Sequence, residues 1–142
     1  MTAHGEDNWP HGLDVQQVRV ARPTDRLEEV ARFYRDGLGL AELFRFQEHA
    51  GYDGVMLGLP GKPYHLEFTQ HVDGSPCPAP TKDNLLVFYT TALDAMRVLV
   101  DRLSAMGHPP VKAENPYWEE NGAVTIEDPD GWRVVLVPSE GI

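Results

Sequence analysis

The stretch YHLEFTQ, residues 64 to 70, carries a histidine and an acid two residues apart. If it is extended, His65, Glu67 and Thr69 share one face while Leu66 and Phe68 share the other. A lone acid on a mostly apolar face has two uses. It pairs with a basic neighbour as structure, or it serves a ligand as hydrogen-bond acceptor, cation partner or general base. Residues 15 to 21 (VQQVRVA) alternate in the same way, with Gln17, Arg19 and Ala21 on one face and Val18 and Val20 on the other. Arg19 and, near the C-terminus, Arg133 are expected to face the same cavity as Glu67, so either could supply its counter-charge. Tyr89 falls on the cleft face of its own strand, and Trp118 follows Tyr117 in the stretch 113 to 122. Such rings offer flat stacking surface for planar or cationic ligands, or anchor the core and loops. The remaining histidines (His4, His11, His49, His71 and His108) sit in tails, turns or loop edges without ligand spacing. Cys77 stands alone in a Pro-rich stretch, which excludes an internal disulfide framework and an all-cysteine metal site.

Composition narrows the functions these groups can serve. With 22 acidic against 12 basic residues the formal net charge is −10, a field that repels a phosphate backbone. Lys and Arg are scattered among carboxylates rather than gathered in a stripe, so nucleic acid is not an expected partner. No run of 18 apolar residues occurs, and the N-terminus has neither a basic n-region nor an apolar h-region. Neither a membrane partner nor secretion is expected, and cytoplasmic localisation is the default. A chain of 142 residues suits one domain with a core of its own.

The elements that position these residues repeat. After the first strand, Asp25 and Glu28 have capping-box spacing, and Leu27, Val30, Ala31 and Tyr34 recur at helical intervals until Gly37 and Gly39. Three strands are then predicted, at 42 to 47, 54 to 58 and 64 to 70. Residues 84 to 90 (NLLVFYT) open a second round. Thr91 and Asp94 start a helix with the stripe Met96, Leu99, Val100 and Leu103, and Gly107 with Pro109 and Pro110 stops it. Strands near Val111, at 123 to 127 and at 132 to 137 follow, the last two joined by Asp128-Pro129-Asp130-Gly131. The predicted fold class is therefore α+β. It comprises a flexible tail over 1–13 and one domain over 14–138, made of βαβββ modules at 14–70 and 83–138 with a Pro-rich linker at 71–82. Each sheet covers one face with its own helix, so the two remaining faces are expected to enclose a cleft.

RFYRDGLGL (32 to 40), HLEF (65 to 68) and EDPDGWRVVLV (127 to 137), in this order, resemble the vicinal oxygen chelate superfamily of glyoxalase, bleomycin-resistance and extradiol dioxygenase proteins. NPYWEENG followed by TIEDPDGWRVV is similar to the YycE-like group within it. The resemblance implies paired βαβββ modules and a homodimer. In the superfamily's metal-dependent members, a His, Glu, His, Glu set from the first and last strands of each module holds a divalent ion. Those positions fall here on Gln17, Glu67, Leu85 and Val135, with Asn84 in place of Leu85 if the register slips by one. One carboxylate among four cannot offset the desolvation of such an ion, so no metal and no cofactor are expected. The resemblance therefore implies a metal-free binder of a small organic molecule, serving drug or metabolite sequestration. Its ligand-binding residues are Gln17, Arg19, His65, Glu67, Thr69, Tyr89, Trp118 and Arg133. The alternative is an enzyme of lyase, isomerase or dioxygenase type, with Glu67 as the best catalytic candidate. Glu67 would serve there as base or, with His65, as part of an atypical metal site.

Overall fold

A computed structural model describes residues 8–142. The first half runs β1 (Val18–Pro23), α1 (Leu27–Arg32), β2 (Ala41–His49), β3 (Tyr52–Gly58) and β4 (Tyr64–His71). The second runs β5 (Leu85–Tyr89), α2 (Leu93–Ala105), β6 (Pro110–Val111), α3 (Pro116–Glu120), β7 (Val124–Glu127) and β8 (Arg133–Val137). Each half forms one four-stranded sheet, ordered β1-β4-β3-β2 and β5-β8-β7-β6. In both, the first strand lies parallel to the last and the other pairings are antiparallel. The fold is α+β and the βαβββ order occurs twice, the second time with the short α3 inserted between β6 and β7. β1 ends on Pro23, which a sheet tolerates here because β1 is an edge strand.

α1 and α2 begin differently from the capping-box expectation. Thr24 Oγ1 accepts the Arg26 N–H at 2.9 Å, whereas Asp25 accepts the Ser75 N–H from across the chain. In the second half Thr90 Oγ1 accepts the Ala92 N–H at 3.0 Å, and Asp94 instead meets Arg97. In each case a threonine hydroxyl takes the N–H of the N-cap residue, neither N-cap side chain caps its helix, and the carboxylate is left for a charged or distant partner.

α1 continues into a π-helical turn, Phe33–Gly37, closed by Leu38 N–H donating to the Phe33 carbonyl at 3.0 Å. This turn meets the end of α2. Arg102 Nε donates to the Gly37 carbonyl at 2.8 Å, and any Cβ at Gly37 would overlap the fully buried Leu103. A single buried cluster joins the halves: Val30, Phe33 and Leu57 share it with Leu103, Val134 and Leu136.

The Asp128–Gly131 turn, expected only as a hairpin connection, is a second joint. Asp128 Oδ2 receives Arg22 Nη2 at 2.5 Å and the Tyr34 hydroxyl at 2.7 Å, while Oδ1 receives the Asp130 and Trp132 N–H groups. Asp130 Oδ2 receives Arg22 Nη1 at 2.8 Å and Thr24 Oγ1 at 2.7 Å. The Arg22 guanidinium lies 4.9 Å over the Phe68 ring and 5.2 Å over Trp132. Burial raises the Asp128 carboxyl above its ordinary range against the opposing pull of Arg22. Burial, reinforced by the adjacent Asp128, holds the Tyr34 phenol well above 10.

This gives an alkaline signature. The folded state keeps the Tyr34 proton that the unfolded chain gives up near pH 10, so its contribution is complete below that pH and is lost as pH rises beyond it. Urea-unfolding free energy is expected to fall with a component of up to about 1.4 kcal/mol per pH unit above roughly pH 10, and Tyr34→Phe is expected to flatten that component. An unchanged slope in Tyr34→Phe would contradict the assignment.

Candidate functional site

Phe68 stacks on Tyr34 of the π-turn at 4.9 Å, which fixes the helix side of the first sheet and turns His65, Glu67 and Thr69 to the opposite face. The parallel register sets Arg19 beside His65 and Ala21 beside Glu67, and β3 sets Met56 against Glu67. A compact polar group results. Arg19 Nε donates to His65 Nε2 at 2.9 Å, Arg19 Nη2 reaches Met56 Sδ at 3.4 Å, and Arg19 Nη1 lies 3.9 Å from Glu67 Oε2.

An arginine nitrogen only donates, so His65 Nε2 accepts and the ring proton resides on Nδ1. His65 is 6% exposed, and this Nδ1 has no hydrogen-bond partner. An unsatisfied buried donor costs about 1–3 kcal/mol, the kind of deficit a ligand acceptor removes. Glu67 keeps acceptor capacity because its contact with Arg19 is longer than a hydrogen bond, and Arg19 remains half open to solvent. The face thus presents a guanidinium and a carboxylate, with the partnerless His65 Nδ1–H next to them but shielded from solvent.

The other residues singled out from sequence lie elsewhere. Gln17 precedes β1 and is exposed, and Thr69 lies near the end of β4, where its carbonyl takes the Thr24 N–H at 2.8 Å. Arg133 does not come to Glu67. It is the cross-strand neighbour of Glu127, to which Nε donates at 3.0 Å, and its Nη1 donates to the Lys112 carbonyl at 3.1 Å. Local pairing on the β7–β8 ladder satisfies this cation before a distant acid can. Trp118 sits on α3 and packs against Ala123, Val135 and Val137 together with Leu85 and Val87. Tyr89 is exposed at the end of β5. His11, His49, His71 and His108 are dispersed over the tail, β2, β4 and the segment after α2, and His4 lies outside the described residues, as do residues 1–7 of the expected tail.

Sequence reasoning missed α3, Met56 and the Arg22–Asp128 joint. The signal for α3 was present in Asn115-Pro116: the Asn115 side chain accepts the Tyr117 N–H at 3.0 Å and Pro116 occupies the first turn. Nothing local marked the others.

The four positions of the metal-dependent pattern do not fit an ion. Leu85 and Val135 offer no donor, Val135 is fully buried in the cluster that holds Trp118, Gln17 is outside the sheet, and Glu67 faces a guanidinium. Among the described residues no group of three or more His, Cys, Asp or Glu is arranged to hold a metal.

On the helix side lies a cavity of about 960 Å³, walled by Val20, Leu66, Leu86, Phe88, Met96 and Leu99, with His65 and Tyr89 also in its lining. A smaller one of about 250 Å³ lies beside Arg22 and Trp132. No helix among the described residues is long and apolar enough to cross a membrane.

Residues 18–69 match the family model for the YycE-like N-terminal domain, and residues 83–138 match that for the YycE-like C-terminal domain. YycE of Bacillus subtilis (strain 168) is 53% identical over 130 residues, 92% of this chain and 93% of that protein. Its 2.0 Å crystal structure, described as that of a protein of unknown function, superposes with a TM-score of 0.84 at 51% identity, covering 89% of this chain and 92% of that one. Two more distant structures share the fold. Leishmania major glyoxalase I gives a TM-score of 0.66 at 17% identity over 87% of this chain and 86% of its own. The fosfomycin resistance protein FosX of Mesorhizobium loti gives 0.63 at 15% over 92% and 93%. With both halves matched in order and a relative this similar along nearly its whole length, the chain belongs to the YycE-like family, and it shares its fold with glyoxalase I and FosX.

Proposed function

We propose that the protein binds a small organic molecule, without metal, on the face of the first sheet that carries Arg19, His65 and Glu67. The observation that carries this reading is the partnerless Nδ1–H of His65, held by Arg19 beside a carboxylate with free acceptor capacity. A ligand bearing an acceptor next to a donor, such as an amide or a hydroxy-carbonyl group, satisfies both. One structural neighbour is in keeping with binding: TnmS3 from Streptomyces sp. CB03234 is an antibiotic binding protein, at a TM-score of 0.61 and 20% identity.

A homodimer belongs to the same reading. Among the described residues no hydrogen bond or ion pair joins Arg19, His65 or Glu67 to β5–β8, so a second copy is free to wall this face.

Native mass spectrometry of untagged protein is the test. Wild type is expected to fly as two copies carrying an organic mass, and Glu67→Gln is expected to hold that molecule roughly ten- to a hundredfold more weakly, the effect of a lost charge-assisted hydrogen bond. Equal retention by wild type and variant would remove Glu67 from the site. A bare single chain in both would count against the reading as a whole.

A further inference from the structure

We infer that the helix-side cavity is a second, separate binding site, and that it takes an amphiphile with an apolar body and an anionic head, the chemistry of a medium- or long-chain carboxylate. The cavity is walled by Leu66 and Val20, which alternate with the residues of the polar face; His65 also enters its lining, but Arg19 and Glu67 do not. It exists because α2 is anchored at one end only. Leu103 is its one buried residue, while Leu93 and Val98, in its first half, are more than half exposed. The first half of α2 therefore stands away from β5 with Met96 and Leu99 facing the gap.

Concavity of about 960 Å³ with aliphatic walls is the form of a small-molecule site rather than of a flat protein interface. Val18 and Val20, on the cavity lining, are 49% and 60% exposed, apolar surface that burial under an acyl chain would stabilise. Charge names the head group. Lys62 is the lysine in the lining, it forms no ion pair among the described residues, and it stands out in a chain of net charge −10. An unpaired cation at the edge of an apolar hollow selects an anion over a neutral or cationic head. Tyr64, beside it in the lining, adds a phenolic hydroxyl as a donor.

The test is isothermal titration of the full chain with dodecanoate, dodecanol and dodecylammonium. Dodecanoate is expected to bind saturably, one per chain, with dodecanol weaker and dodecylammonium weaker still. Lys62→Glu is expected to weaken dodecanoate about five- to tenfold while leaving dodecanol unchanged. Leu99→Trp fills the cavity and is expected to abolish binding of both; should it lower the thermal midpoint, Val98→Trp, at a lining position that is exposed and so less able to disturb the fold, is expected to weaken both as well. Glu67→Gln is expected to leave dodecanoate unaffected, so the two sites stand or fall separately. Absence of saturable binding would overturn the inference. So would equal affinity for all three head groups, loss of binding in Glu67→Gln, or binding that vanishes as protein concentration rises because a second copy covers the cavity.

Discussion

Arg22→Ala is expected to lower the unfolding free energy by about 3–5 kcal/mol. Arg22 holds Asp128 and Asp130 at 2.5 and 2.8 Å, and the Asp128 side chain is wholly shielded from water. Removing the guanidinium leaves a buried carboxylate with only the Tyr34 hydroxyl and two backbone N–H groups, none of which supplies charge. The loss reaches beyond one pair because Arg22 leaves β1 and ends in the β7–β8 turn, so it ties one βαβββ half to the other. Arg22→Ala combined with Asp128→Asn is expected to recover part of the loss, since the isolated charge is then gone. Equilibrium urea unfolding of the three proteins measures both terms. A cost under about 1 kcal/mol for Arg22→Ala would make the joint an ordinary surface ion pair.

Leu103→Ala is expected to cost about 2–5 kcal/mol. Leu103 is fully buried and stands where α2 meets the Gly37 turn, in the cluster that both halves share. Its removal leaves a void that the π-turn cannot fill without giving up the Arg102–Gly37 hydrogen bond. Val98→Ala on the same helix is the control: at 58% exposure it is expected to change stability by no more than about 0.5 kcal/mol. Similar losses at the two positions, measured by the same urea titrations, would mean that α2 packs along its length and not at one end.

The doubled architecture was legible because local signals repeat: the stripe at Leu27, Val30, Ala31 and Tyr34 is echoed by Met96, Leu99, Val100 and Leu103, and each is followed by strands of alternating character. Alternation also placed His65, Glu67 and Arg19 on one face, since period-two geometry depends only on a strand being a strand. What sequence could not supply was the choice among partners. Arg133 and Arg19 have the same chemistry, but Arg133 has Glu127 opposite it on the next strand and Arg19 has His65. The pattern of Asp128-Pro129-Asp130-Gly131 announces a turn and nothing more. That the turn meets Arg22 and Tyr34, about a hundred residues earlier, follows from how the two sheets pack. Asp25 and Asp94 had capping spacing, yet Thr24 and Thr90 supply the first hydrogen bonds, because competing partners at Ser75 and Arg97 lie outside any local window.

Elemental analysis of the untagged protein, followed by calorimetric titration with zinc, nickel and manganese, bears most directly on the proposed use of Glu67. Glu67 beside Arg19, with apolar Leu85 and Val135 at two of the other positions of the metal-dependent pattern, leads to the expectation of no stoichiometric divalent metal as purified and no saturable uptake on titration. One equivalent of metal per chain, bound tightly and lost in Glu67→Gln, would contradict it.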